Sequence, residues 1–220
     1  LPRKNILPLA GKPLLAYSIE PALAARSVDR VIVCTDDEEI ADVALQFGAE
    51  VPFLRPPELG LDHVGCNAVM IWTVKQLFDR SILSDRRDIV VYLQPTDLFK
   101  RADWIDECVQ ALRNDPQADS AFIGCIEHKN YWEETPQGTF QPLGGGPHPG
   151  HDNRQVKPRI FREDTGMGAA IRAYVWTEMG KRLGERNIVI PKDYVFFDIH
   201  SSIDLFLAEQ YLAFQQRHDA

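Results

Sequence analysis

The 220 residues hold 24 Lys and Arg against 32 Asp and Glu, a formal net charge of −8, with 45% hydrophobic and 25% charged residues. That balance excludes disorder over the whole length and, with 14 Gly and 15 Pro, a collagen-like or low-complexity chain. The acidic excess argues against a nucleic-acid coat protein, which needs dense Lys and Arg, but leaves a nucleotide substrate open.

In chain order, Arg3-Lys4-Asn5 places cations ahead of an apolar, strand-like Ile6-Leu7-Pro8-Leu9; Lys4 is either a point charge for phosphate or part of a solvated terminus. Residues 12–26 carry apolar residues at helical spacing, and 30–34 (Arg-Val-Ile-Val-Cys) form a short β-branched run expected as a buried strand. Thr35-Asp36-Asp37-Glu38-Glu39 reads as a helix cap with acids in the first turn, opening a helix over about 37–47 that Gly48 ends. Ala49 to Leu54 is expected as a strand and 65–80 as a helix. The near-continuous apolar run 88–93 is expected as a fully buried strand, followed by a helix over 102–114 and a strand over 119–126.

Strand–helix alternation predicts an α/β sheet of parallel strands with right-handed crossovers and helices on both faces. The rhythm breaks over 127–163, where prolines, aromatics and a Gly-rich run suit a protruding arm or mobile loop. It resumes with a strand at 168–176, a short helix at 177–184, a strand at 194–199 and a terminal helix over 201–217 capped by Ser201 or Ser202. The core is therefore expected in 1–126 and 164–220, with the arm in 127–163.

No apolar run nears about 20 residues, so no membrane span is expected. No signal peptide is visible at Leu1-Pro2-Arg3-Lys4-Asn5. Cys34, Cys66, Cys108 and Cys125 form no CxxC pair and are expected as reduced thiols of a cytoplasmic protein.

Ligands of open α/β sheets bind beyond the carboxyl ends of strands. Gln94-Pro95-Thr96 follows the 88–93 run; a Gln on a rigid Pro turn presents an amide to a polar substrate, or the segment is a turn leading to a helix cap. Asp198-Ile199-His200 follows the last expected strand, and alternation puts Asp198 and His200 on one side. That pair suits a divalent ion; hard Mg²⁺ favours one Asp plus substrate phosphates, whereas the imidazole suits a softer metal or a supporting role.

Together these segments resemble the CMP–sialic acid synthetase (acylneuraminate cytidylyltransferase) family. The family opens with R-x-G-S-K-G-I-P-x-K-N and a segment ending in G-K-P-L; residues 1–14 (LPRKNILPLAGKPL) match its second half. The likeness continues through Asp29–Ala41 (DRVIVCTDDEEIA), Gly48–Leu59 (GAEVPFLRPPEL) and Leu93-Gln94-Pro95-Thr96, and returns at Arg154-Gln155 and Asp198 to Glu209. The resemblance implies a Rossmann-like nucleotidyltransferase sheet with a dimerisation arm, a homodimer, and a reaction in which CTP and a 2-keto sugar acid give CMP-sugar and pyrophosphate with Mg²⁺, or else Mn²⁺, as cofactor. By match, Lys4 contacts the triphosphate. Asn5, Arg55 and Asp62 hold the nucleotide, Gln94, Arg154 and Gln155 face the sugar acid, and Asp198, with His200, binds metal.

The chain departs from the family at several of these places. The Gly-rich phosphate loop and first strand are expected upstream of Leu1. The family's D-I-D reads Asp198-Ile199-His200, T-S-P-L-R reads Thr96-Asp97-Leu98-Phe99-Lys100, S-D-T-A-S-S reads residues 61–66 (LDHVGC), and N-G-A-I-Y reads Met167-Gly168-Ala169-Ala170-Ile171. The changes gather at substrate-facing positions. They leave room for a 3-deoxy-octulosonic or modified nonulosonic acid as acceptor, or for a binding protein of the same fold that has lost catalysis.

Overall fold

The computed structural model describes residues 1, 3–61, 63–143 and 159–218. A hairpin of β1 (Pro8–Leu9) and β2 (Lys12–Pro13) turns through Ala10 and Gly11, both at positive φ. Helix α1 (Ala16–Ala24) follows, then α2 (Glu38–Gln46). As expected, Asp37 caps α2, its carboxylate accepting from the N–H groups of Glu39 and Ile40 at 2.9 and 3.1 Å, and Gly48 follows at φ 88°. Helix α3 (Cys66–Asp79), strand β3 (Ile89–Tyr92), helix α4 (Ala102–Asn114) and strand β4 (Ser120–Glu127) lie within two residues of their expected bounds. Beyond them come a hairpin of β5 (Trp132–Glu134) and β6 (Phe140–Pro142), strands β7 (Ile160–Glu163) and β8 (Ala169–Arg172), α5 (Ala173–Thr177), β9 (Asn187–Lys192) and α6 (Ser202–His218).

The sheet corrects the expectation of a mostly parallel arrangement. β3–β8, β8–β4 and β4–β7 pair antiparallel, and only β4–β9 runs parallel, with Ala121 opposite Ile188 and Ile123 opposite Ile190. The turn at 164–168 breaks the returning chain into β7 and β8, which lie one after the other along the same edge of β4 and place β8 between β4 and β3. An apolar run tells where a strand is buried but not which way it runs. Three further expectations change. Residues 173–176 are helical, because the strand stops at Arg172, whose guanidinium bonds Ala118, Leu112 and Arg87 carbonyls. Residues 194–199 are loop, since their aromatics pack in different directions: Tyr194 lies on Trp104, and Phe197 on Phe99 and Tyr211. The runs 30–34 and 49–54 meet only in a parallel bridge of Ile32 with Glu50.

Helices cover both faces, as expected. Trp176 and Val74 pack with Ile171 and Tyr92 on one side; Cys108, Val109 and Leu112 pack with Ala121, Ile123 and Ala170 on the other. A third cluster of Leu9, Leu14, Leu98, Ile199 and Ala208 ties the first hairpin, the loop after β3 and α6 into one corner. The four cysteines are unbridged, and among the described residues no helix is long and apolar enough to cross a membrane. The β5–β6 hairpin exposes Trp132 and Phe140; the end of the expected arm instead forms β7 of the central sheet, and residues 144–158, with Arg154 and Gln155, lie outside the described residues, as does Asp62.

The sheet is open between the 30–34 run and β3. The N–H of Val33 and the carbonyl of Val31 bond Glu50, so the backbone groups of Ile32 and Cys34 point the other way. In β3, Asp88 O and Gln94 N bond across to the β8 side, which by antiparallel alternation turns the groups of Ile89 and Val91 outward. These two half-exposed apolar edges face a common groove of about 990 Å³, walled by α1 on one side and α3 on the other.

Candidate active site

The loop after β3 is built around a buried cation. Lys100 is 6% exposed, and its ammonium donates to the carbonyls of Gln94, at 2.6 Å, and Asp97. Burial pushes its pKa down, against the pull of the Asp97 and Asp198 charges, and burial pushes the Asp97 carboxyl up to about 6. Asp97 Oδ2 accepts from the N–H of Gly166. A Cβ on Gly166 would collide with that oxygen and with Gln94 Cβ, so only glycine lets the 164–168 turn close over the loop. Leu98 N–H donates to Phe197 O at 3.0 Å and Ile199 N–H to Thr96 O at 3.1 Å, which sets Asp198 opposite Asp97.

Asp198 and His200 do face one another: Nε2 lies 2.6 Å from Oδ2. His200 is otherwise largely in solvent, its side chain 69% exposed. The other carboxylate oxygen of Asp198, Oδ1, is buried with no hydrogen-bond partner. Among the described residues no cluster of three or more His, Cys, Asp or Glu is placed to hold a metal by itself. What remains is one free carboxylate oxygen, which suits a hard divalent ion that arrives with phosphate oxygens. The chain then starts α6 by a reciprocal cap: Asp204 accepts from the N–H groups of His200 and Ser201, while Ser201 Oγ accepts from Asp204 N–H at 3.4 Å.

Lys4 reaches this corner from the N-terminus, its ammonium donating to Ile199 O at 3.4 Å. Arg55 pairs with Asp36, and its Nε is buried without a partner. Lys4, Asn5, Arg55 and Gln94 all line the open groove, at the end where Thr35 and Thr96 also lie. A second cavity of about 280 Å³ is lined by Asp97, Asp164, Thr165, Phe196 and Asp198, and again by Gln94. Gln94 thus stands on the border between the two spaces.

The structure therefore joins Lys4, Asn5, Arg55, Gln94 and Asp198 into one site. Sequence reasoning missed Asp36 as the partner of Arg55, having read it with Asp37 as capping, and missed Tyr92, Asp97, Lys100 and Gly166. A signal for Tyr92 existed: it lies two residues before Gln94 on a strand, hence on the same face. Asp97 and Lys100 fall in the Thr96–Lys100 segment that departs from the family motif, but nothing in the sequence signals their burial, which depends on how 164–168 and 197–199 fold back.

Residues 1–168 match the sequence model of a family described as Cytidylyltransferase. The chain is 39% identical over 110 residues to a CMP-N,N'-diacetyllegionaminic acid synthase of Legionella pneumophila, across 50% of this chain and 46% of that protein. It is 49% identical over 70 residues to a pseudaminic acid cytidylyltransferase of Campylobacter jejuni, across 32% of this chain and 30% of that protein. The matched segments thus span less than half the length of these curated relatives. In fold, a CMP:2-keto-3-deoxy-manno-octonic acid synthetase complexed with CTP superposes with a TM-score of 0.70 at 16% identity, covering 98% of this chain and 93% of the other.

Proposed function

The chain belongs to the cytidylyltransferase family, and we propose that it transfers CMP from CTP to a sialic-acid-like 2-keto sugar acid, releasing pyrophosphate. The observation that carries this reading is the position of Gln94 between two cavities, with Lys4, Asn5 and Arg55 beside the larger and Asp198 in the smaller. In this reading CTP occupies the Lys4 end of the groove and the sugar acid the smaller cavity. The acceptor's anomeric oxygen attacks the α-phosphorus. A new O–P bond forms, the bond to the bridging oxygen breaks, pyrophosphate leaves with that electron pair, and the hydroxyl proton is released. Lys4 and Arg55 offer positive charge to the triphosphate. Asp198 Oδ1 is the atom that would hold Mg²⁺, or Mn²⁺, which supplies electrostatic stabilisation of the phosphate charge.

A 3-deoxy-octulosonic or modified nonulosonic acid is the second reading of the acceptor. It is favoured by the sequence departures on the sugar side and by relatives named for legionaminic, pseudaminic and 3-deoxy-manno-octulosonic acids. We read the groove between Val31–Cys34 and Ile89–Tyr92 as the seat of an extended apolar strand leading to a phosphate loop near Lys4. Two sets of backbone groups awaiting a ladder support it. A homodimer through the 127–163 arm is supported by the exposed Tyr131, Trp132 and Phe140, and light scattering should return twice the chain mass; a monomer at micromolar concentration contradicts it.

Calorimetry tests the nucleotide assignment. CTP with Mg²⁺ should bind the full chain more tightly than ATP does, and Lys4→Ala or Arg55→Ala should each weaken CTP about tenfold or more, the effect of losing a charged contact. Unchanged CTP affinity in both variants would place the nucleotide elsewhere.

A further inference from the structure

Gln94 is held by every hydrogen-bonding atom it has except one. Its N–H donates to Gly166 O at 3.1 Å, and its carbonyl accepts from Ser18 Oγ at 3.3 Å and Lys100 Nζ at 2.6 Å. Its side-chain Nε2 donates to the Tyr92 phenol oxygen at 2.7 Å and lies 3.8 Å from Cys66 Sγ. Oε1 has no partner among the described residues.

An amide side chain has two orientations that exchange oxygen for nitrogen, and a hydroxyl accepts either because it both donates and accepts. Here the tie is broken by a second contact of the same nitrogen: Nε2 also lies within reach of Cys66 Sγ, so the two N–H groups of the amide have two acceptors, the phenol oxygen and the sulfur. Tyr92, the last residue of β3, is 7% exposed, with its ring edge-on to Trp176 at 6.1 Å. Burial holds the phenol well above its ordinary pKa, so it keeps its proton. With Nε2 donating to both the phenol oxygen and the sulfur, Oε1 is the end of the amide left without a partner.

We propose that Tyr92 is a positioning residue: by accepting from Nε2 it turns the Gln94 amide so that Oε1 faces the substrate cavities as a fixed acceptor, selecting a sugar acid that offers a hydroxyl or amide N–H there. This rests on the proposed placement of the sugar acid beside Gln94. Cys66 Sγ is the second, weaker acceptor of the same NH₂. The arrangement commits the site to one polarity; an acceptor group in the same place on the sugar would meet oxygen against oxygen.

Two measurements on the full chain test it. In ¹⁵N-labelled protein, Tyr92→Phe keeps the ring and removes only the oxygen. The Gln94 side-chain NH₂ should then exchange with solvent about tenfold faster or more, while backbone amides of β3 and β8 keep their protection. An unchanged side-chain exchange rate overturns the proposal. In kinetics with the sugar acid turned over fastest among N-acylneuraminate, N,N'-diacetyllegionaminate, pseudaminate and 3-deoxy-manno-octulosonate, Tyr92→Phe should raise the KM for the sugar acid about threefold to tenfold, the size of one neutral hydrogen bond, and leave the KM for CTP in place. Added to Gln94→Ala it should cost nothing further. An equal penalty in both backgrounds means Tyr92 acts through something other than Gln94. Gln94→Ala that leaves the sugar-acid KM unchanged removes the sugar acid from Gln94 and overturns the site reading itself, whereas the exchange measurement decides the role of Tyr92 independently.

Discussion

Asp198→Ala should abolish pyrophosphate release, by about a thousandfold or more, in a protein that still folds. The loss is large because Oδ1 is the one buried, unpartnered carboxylate oxygen among the described residues, and Asp198 lines the smaller cavity beside Gln94; without it nothing in this corner offsets phosphate charge through a divalent ion. The fold should survive because the other oxygen pairs with a largely exposed His200, and exposed ion pairs are worth at most about 1 kcal/mol. His200→Asp should keep or raise Mg²⁺-dependent activity and lower any preference for Mn²⁺, since it exchanges an imidazole for a hard oxygen donor. Rates of pyrophosphate release in both metals, with circular dichroism as the fold control, read this out. Full activity in Asp198→Ala takes Asp198 out of the reaction; a folded but dead His200→Asp assigns the imidazole a role of its own.

Lys100→Met should be the most destabilising single change in the site. It removes the donor to two buried carbonyls, those of Gln94 and Asp97, and leaves the Asp97 carboxylate without its nearby cation. Stranding buried polar groups and a buried charge costs about 3 kcal/mol, which for a chain of this size lowers Tm by roughly 6–12 °C. Adding Asp97→Asn should recover part of the loss, because the amide oxygen still accepts from Gly166 N–H and no charge is left unpaired. A Tm within about 2 °C of the parent for Lys100→Met would show that the loop does not depend on this cation.

The helices were legible where chemical punctuation and periodicity agreed. Asp37 before α2 and Gly48 after it each have a local cause, so the ends of that helix came within a residue. Strands were legible as positions but not as direction or place in the sheet: the run at 119–126 is a central strand, that at 88–93 is an edge strand, half-exposed where a fully buried one was expected, and nothing in their residues says that β7 and β8 come back antiparallel beside them. The 30–34 run looks like any buried strand and is one only in its bridge to Glu50; its other edge, like that of β3, opens on the groove. In the site, Lys4, Asn5, Arg55, Gln94 and Asp198 were reached through motif likeness, and the fold brings them together. The burial of Asp97 and Lys100 and the closure at Gly166 were illegible for a physical reason. A Lys in a loop reads as solvated, and only the closure of residues 164–168 and 197–199 over it makes it a buried cation that holds Gln94 in place.

Pyrophosphate release from CTP and Mg²⁺ in the presence of each sugar acid tests the central claim most directly. The full chain should release pyrophosphate in step with formation of a CMP-linked sugar acid, identified by mass, for at least one of N-acylneuraminate, N,N'-diacetyllegionaminate, pseudaminate and 3-deoxy-manno-octulosonate, and ATP should not replace CTP. A chain that binds CTP at the Lys4 end of the groove yet yields no CMP-linked product with any of them contradicts cytidylyl transfer and leaves the reading of a nucleotide-binding protein without catalysis.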